Sequence, residues 1–304
     1  MFKKDLHLKD WIGRLDPQAL FVLAILLGLF LWSASIAQAQ IGVDLLLQKS
    51  QFKIDERSEQ KDASVWGAYL FVPLGNYAFA ELAHEQTDIT YKTLDPLSQG
   101  DNGGALNLML GPAVIFVGGH QVSTTDKTLE GAKTQGAGIK IYDLLYLSVG
   151  VEGYQSTYPN LPLTDATGDI GLEVNQNSPD VALSLFGGYV SLEGRRDRIV
   201  LSDSLGFGKT EFISNEGGLG FYLSPFMLHF SKWTGERIFR ASNKALEVNS
   251  FTYLYQGGNH ASIRLGLGDY VTLSLSQANQ KLIEAPDAEQ IDSKVTTASI
   301  VLRF

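Results

Sequence analysis

From Gln40 onward the chain repeats one pattern: apolar side chains at every second position, in runs of roughly 8–12 residues separated by turn formers. An amphipathic helix needs apolar positions every three or four residues, so this period of two restricts the chain to β-structure. Leu106, Leu108 and Leu110 alternate with Ala105, Asn107 and Met109. Ala137, Ile139 and Ile141 alternate with Gly138, Lys140 and Tyr142, and Leu145, Leu147, Val149 and Val151 with Tyr146, Ser148, Gly150 and Glu152. Ile170, Leu172 and Val174 alternate with Asp169, Gly171 and Glu173. Ala261, Ile263 and Leu265 alternate with Ser262, Arg264 and Gly266, and Val271, Leu273 and Leu275 with Thr272, Ser274 and Ser276. Two architectures satisfy such a pattern. A soluble sandwich buries the apolar face and wets the other; a membrane barrel turns the apolar face to lipid and encloses the polar one.

Residues 1–39 differ from everything after them. Lys3, Lys4, Lys9 and Arg14 precede an apolar stretch from Ala19 to Trp32, which ends in small residues and an Ala37-Gln38-Ala39 cleavage pattern. A stretch of about 14 residues suits a secretory signal and falls short of a spanning helix. The expectation is a signal peptide over 1–39, cleaved before Gln40, followed by one domain over 40–304. The alternative is an uncleaved anchor helix, since Asp5, Asp10 and Asp16 interrupt the leading segment.

Export favours the barrel, and so does the rhythm of the connections. Short ones fall at Pro73–Asn76, Gly111-Pro112, Tyr142–Leu144, Asn175–Asp180, Ser224-Pro225 and Leu267–Asp269. Longer polar ones fall between them, at Lys92–Gly103, Ser123–Gln135, Ser156–Thr167 and Lys281–Ser293. Short turns at one end and longer loops at the other are the outer-membrane habit. The chain closes on Thr296-Thr297-Ala298-Ser299-Ile300-Val301-Leu302-Arg303-Phe304. This segment resembles the C-terminal strand of Gram-negative outer-membrane β-barrels of the porin-like superfamily, which ends in an aromatic residue with apolar residues alternating before it. Ile300, Leu302 and Phe304 occupy those positions. The resemblance implies a bacterial outer-membrane location, contact with outer-membrane lipid and lipopolysaccharide, and recognition of this segment by the barrel assembly machinery. An ordinary last strand of a periplasmic sandwich is the competing explanation.

Six short turns with both termini on one side imply seven hairpins. The expected fold is therefore all-β: a closed antiparallel transmembrane β-barrel of about 14 strands, with 12 and 16 as neighbouring solutions. Gly194–Ile213 and Gly235–Asn259 resist assignment. Each is read as a long outer loop or a hidden hairpin, and Tyr253-Leu254-Tyr255 suggests a hairpin protruding above the membrane. With apolar residues facing lipid, the lumen-lining set is Asp44, Asn107, Lys140, Glu152, Asp169, Glu173, Arg264, Ser274, Ser276 and Arg303. It mixes signs and leans acidic, which favours cations in a water-filled pore. A lumen filled by side chains and loops is the alternative. Tyr69, Tyr77, Tyr146, Tyr154 and Tyr222 are read as either lumen rings or interfacial girdle. Val65–Val72 and Ala113–Gly118 are apolar on both faces, which suggests packing against a plug or a second copy.

Chemistry-bearing motifs are few. The chain has no cysteine, so thiolate metal sites, disulfides and cysteine nucleophiles are excluded. A net charge of −9 argues against a nucleic-acid binder. His229-Phe230-Ser231 resembles the His-x-Ser pair of outer-membrane phospholipases and lipid A deacylases, with Glu236 or Glu247 as a third member. Phe226, Leu228 and Phe230 claim the lipid face, however, which sends His229 and Ser231 into the lumen, and Lys232 stands where those families carry asparagine. Arg195, Arg196 and Arg198 flank Asp197 in what reads as a loop, either solvated or against lipopolysaccharide phosphates. Gly206-Phe207-Gly208-Lys209-Thr210 lacks the spacing of a phosphate-binding loop. Asp55, Glu56 and Glu59 read as a solvated acidic run or a weak divalent-cation site, and the histidines at 84, 120, 229 and 260 show no metal-ligand spacing. No cofactor or metal is expected. The favoured function is a passive diffusion channel for small polar solutes with weak cation preference. The alternatives are a lipid hydrolase using His229 and Ser231, and a non-conducting structural or export-assembly barrel.

Overall fold

The computed structural model describes residues 42–144, 147–159, 166–178, 189–202, 204–248 and 253–304; at 143, 144, 147, 166–178 and 189 the description is of backbone alone. Residues 1–39 lie outside it. Strands run in chain order: β1 (Asp44–Ile54), β2 (Gln60–Pro73), β3 (Ala78–Tyr91), β4 (Leu97–Leu110), β5 (Ala113–Thr124), β6 (Lys133–Leu144), β7 (Leu147–Thr157) and β8 (Ala166–Ser178). There follow β9 (Tyr189–Val200), β10 (Glu211–Leu223), β11 (Phe226–Gly235), a two-residue pair β12 (Ala241–Ser242) and β13 (Glu247–Val248), then β14 (Leu254–Leu267), β15 (Val271–Ile283) and β16 (Ile291–Arg303). Among the described residues, β1–β11 and β14–β16 form fourteen antiparallel strands in one closed barrel. Closure is made by β1, which pairs with β2 on one side and β16 on the other, from Asp44↔Arg303 to Ile54↔Ser293. Every barrel strand therefore has two neighbours and no hydrogen-bonding edge is left open.

Alternation sets which side chains face where. Leu106, Leu108 and Leu110 are 43%, 46% and 59% exposed, whereas Asn107 between them is fully buried. The outward face thus carries the apolar set. Next to the short turns, among the described residues, it forms a band that includes Ile115 and Val117, Ile139, Val151, Leu192, Phe221, Phe226, Leu228 and Phe230, Ile263, Leu273 and Leu275. Tyr77, Tyr270 and Phe304 ring the turn end and are more than half exposed. Tyr77 lies in the turn before β3, on the alternation shared by Phe79 and Glu81. The rest of Tyr69, Tyr154 and Tyr222 share strand faces with inward polar residues, and Tyr146 lies outside the described residues.

Strands continue past the apolar band at the loop end, so the connections are shorter than the sequence suggested. Lys92–Gly103 is not one loop: β4 starts at Leu97, and Gln99 and Asp101 are buried inside while Ser98 and Asn102 are exposed outside. Arg195, Arg196 and Arg198 are not in a loop either. They sit on β9, where alternation turns Arg195 and Asp197 inward and Arg196 and Arg198 outward. The largest departure is the β11–β14 connection. It contains the hairpin β12–β13, but this does not protrude; it enters the barrel.

Candidate functional site

The connection after β11 crosses the lumen. It leaves beside β14, where Arg237 and Tyr255 exchange backbone hydrogen bonds at 2.9 Å, and its tip Asn243–Ala245 docks on β4, β5 and β6. In the barrel order these strands lie on the opposite wall. The tip takes three consecutive left-handed residues, Asn243, Lys244 and Ala245, at φ 50°, 62° and 64°. Such a run of non-glycine residues is costly and persists only where surroundings hold it. Leu246 is buried against Ala83, Ala105 and Tyr69, and Ala245 lies against Tyr154. The wall is pared back to receive the tip. A Cβ on Gly118 would stand 1.9 Å from the Lys244 carbonyl oxygen, and one on Gly103 would stand 3.3 Å from the Leu246 Cα. Glycine is used here for close backbone approach.

Charges fix the rest. Asp197 is fully buried and accepts Arg195 Nε at 2.5 Å and Arg240 Nε at 2.8 Å, with Arg237 at 3.3 Å. Arg195 continues to Glu152 at 2.7 Å and Arg237 to Glu216 at 2.9 Å, while the Arg237 guanidinium stacks 4.2 Å over Trp233. At the tip, Lys244 Nζ meets Glu81 at 2.5 Å and its backbone N–H donates to Tyr154 at 2.9 Å. Two arginines and one lysine of the loop are thus matched to acids of β3, β9 and β10. Arginine suits the shared Asp197 because its planar fork serves several acceptors.

A cavity of ≈ 460 Å³ remains on the β5–β11 side, lined by Lys140, Glu152, Glu193, Glu216, Ser231 and Lys244 among others. Lys140 and Glu152 of the sequence-derived set therefore share a cavity. Asn107 Nδ2 donates to Glu81 at 2.9 Å. Asp44 and Arg303 form a double hydrogen bond at 2.9 and 3.1 Å at the turn end. Arg264 is exposed on the same strand face as Ser262 and His260. The side chains of Asp169 and Glu173 on β8 lie outside the described residues. On the other side of the loop, hydroxyls pair across strands, Ser50 with Thr297 at 2.7 Å and Ser274 with Ser299 at 2.5 Å. Glu85 is held there by Gln48 at 2.8 Å and by the Tyr69 hydroxyl.

His229 and Ser231 each take a separate carboxylate. His229 Nε2 lies 3.1 Å from Glu193, and Ser231 Oγ donates to Glu216 at 3.1 Å. Neither acid was singled out from sequence; Glu216 comes from β10, the neighbouring strand of the same hairpin, and Glu193 from β9 one strand beyond it. Lys209 of the Gly-Lys-Thr segment pairs with Glu236. Asp55 is engaged by Arg57 at 2.8 Å, and that guanidinium holds its carboxyl down to about 2. His84 meets Asn102 at 2.9 Å, and His120 meets Asp101 at 3.0 Å. Among the described residues no group of three His, Asp or Glu side chains is arranged for a metal. At the loop end, Leu129, Tyr158, Leu201, Ile238 and Phe239, from four different connections, close over Phe212 and Leu254 as an apolar lid. The residues that sequence missed are those of the crossing loop and its acids, and the glycines at inward positions 103 and 118 were the available signal.

No protein-family description matches the chain, and no curated protein matches it in sequence. Among solved structures the fold is similar to a bacterial polysaccharide outer membrane secretin, with a TM-score of 0.52 at 10% identity over 86% of this chain and 98% of that one. Weaker likenesses include Omp33 of Acinetobacter baumannii (TM-score 0.48, 7% identity, 88% and 100% covered) and OccK5 of Pseudomonas aeruginosa (0.39, 11%, 87% and 98%). The likeness is one of fold: this chain is built as bacterial outer-membrane β-barrels are.

Proposed function

We propose that the chain is an outer-membrane barrel, exported by a cleaved leader, that admits small polar solutes by passive diffusion with weak cation preference. The observation that carries this is the crossing loop. A loop tied by ion pairs at both ends fixes the width of the lumen beside it, and that lumen is walled by hydroxyls, amides and charges. The outward apolar band supports a lipid surrounding, and among the described residues the closed barrel leaves no strand edge open to it. Asp44, Asn107, Lys140, Glu152, Arg264 and Arg303 are proposed as lining, with Asp169 and Glu173. Most inward acids are matched by cations. Glu85 has neutral partners, Gln48 and Tyr69, so when ionised it is an inward carboxylate with no cation bonded to it.

The test is single-channel recording of the refolded chain across a salt gradient. Ohmic steps with a cation-selective reversal potential are expected, and Glu85→Gln should move that potential toward zero. Silence from a properly folded, heat-modifiable barrel overturns the channel. It would favour a second reading, a non-conducting barrel of an export assembly, to which the apolar lid also points. A hydrolase is not proposed, because His229 and Ser231 are hydrogen-bonded to different acids instead of forming one relay.

The final strand is proposed as the segment read by the assembly machinery, through Ile300, Leu302 and Phe304. Removing Phe304 should lower the heat-modifiable barrel recovered from the outer membrane several-fold while refolding in detergent persists. Equal recovery from cells would rule that role out.

A further inference from the structure

Above the apolar band, on the loop side, the outer faces of β1, β16, β15 and β11 turn basic, with β14 between the last two. Lys53 continues the outward face of Leu45 and Leu47, and Lys294 that of Ile300 and Leu302. Lys281 continues the face of Leu273 and Leu275, and Lys232 that of Phe226, Leu228 and Phe230. The four lysines border one groove of ≈ 790 Å³, whose lining includes Asn259 and Asn279, themselves hydrogen-bonded at 2.9 Å. Lys53 and Lys294 are directly opposed in register across β1 and β16. Like charges so placed repel and destabilise a sheet. None of the four lysines has an ion-pair partner among the described residues. Asp292, opposite Lys281 in register, stands outside ion-pair distance, and Asp55 is taken up by Arg57. A groove whose lining sets four lysines without ion-pair partners against two carboxylates, Asp55 and Asp292, directly above an apolar belt, is complementary to one kind of partner. Its acyl chains lie on the belt and its anionic groups reach the ammonium heads, which the flexible lysine stems can lift into the polar zone.

We propose that this groove seats the phosphates of a phosphorylated lipid of the loop-side leaflet, which in an outer membrane is lipopolysaccharide. The inference rests on the outer-membrane reading above. It concerns the wall facing lipid, not the lumen, and assigns no role to the crossing loop.

The test uses the purified barrel in detergent, titrated with bis-phosphorylated lipid A and with the same lipid stripped of phosphate, and read by native mass spectrometry. The phosphorylated lipid should be retained preferentially, and its retention should fall with added salt. The combined variant K53Q/K232Q/K281Q/K294Q should bind roughly tenfold or more weakly, since each surface lysine contributes to anionic-lipid affinity. Lys127→Gln with Lys133→Gln, outside the groove, should leave binding unchanged. Equal retention of the two lipids by the parent protein overturns the proposal without recourse to any variant, as does undiminished binding by a folded quadruple variant. Fractionation of cells separates the two ideas. A chain absent from the outer membrane fails the localisation; a chain present there without phosphate preference fails only the lipid site.

Discussion

Deleting residues 237–248, with a short turn joining β11 to β14, should raise single-channel conductance severalfold and leave the barrel closed. The two strands to be joined are already neighbours, paired from Phe226↔Leu265 to Trp233↔Gly258, so a tight connection can replace the excursion. All fourteen inter-strand pairings lie outside the deleted segment. What is lost is the bridge across the lumen: the docking of Ala245 and Leu246, the Lys244–Glu81 pair and the two arginines on Asp197. A gentler version keeps the chain length. Gly118→Val introduces a Cβ where only 1.9 Å separates it from the Lys244 carbonyl, and neither β5 nor the strained tip can yield that much in place. The tip must lift, so conductance should rise with unchanged heat-modifiability. If both variants conduct as the parent does, the crossing loop does not set the restriction, and what remains of the apolar lid, Leu129, Tyr158 and Leu201, becomes the element to cut next.

How much of this was legible in the sequence depends on contrast between environments. Leu106, Leu108 and Leu110 against Asn107 gave a readable strand because one face meets an apolar surrounding and the other a polar interior. Past the apolar band both faces carry polar residues, and Ser98 to Asn102 then look like a loop although they belong to β4. The same failure hid β9, yet Arg195 and Asp197 stand two apart and so share a face, as the buried pair at 2.5 Å shows. Facing could be read for His229 and Ser231 from Phe226, Leu228 and Phe230. The partner of His229 could not, since Glu193 lies 36 positions before it and spacing carries no information at that range. The crossing loop is the extreme case. Lys244 reaches Glu81 across 163 positions, and only the missing side chains at Gly103 and Gly118 hinted that something was to be received on that wall.

Asp197 is the single residue whose loss should most disturb the loop while sparing the strands. It is fully buried at the junction of wall and loop, and three guanidiniums converge on it, from Arg195, Arg237 and Arg240. Replacing it by alanine leaves those cations facing one another without the acid that offset their repulsion. Removing one partner of a buried pair costs about 3–5 kcal/mol where nothing else can compensate. Here Glu152 still serves Arg195 and Glu216 still serves Arg237, so a loss of about 2–3 kcal/mol is the better expectation for Asp197→Ala. The cost should fall on the loop before the barrel, because the strand pairing of β9 with β10 is made by backbone groups the substitution does not touch. Open-channel noise should increase, and a protease added from the loop side should cut within 237–248 while the strands resist. Asp197→Asn separates charge from shape: it keeps a hydrogen-bond acceptor, and should be nearly as noisy if charge neutralisation holds the loop. A quiet, protease-resistant Asp197→Ala channel would mean that the apolar seat of Ala245 and Leu246 anchors the loop without help from the arginines.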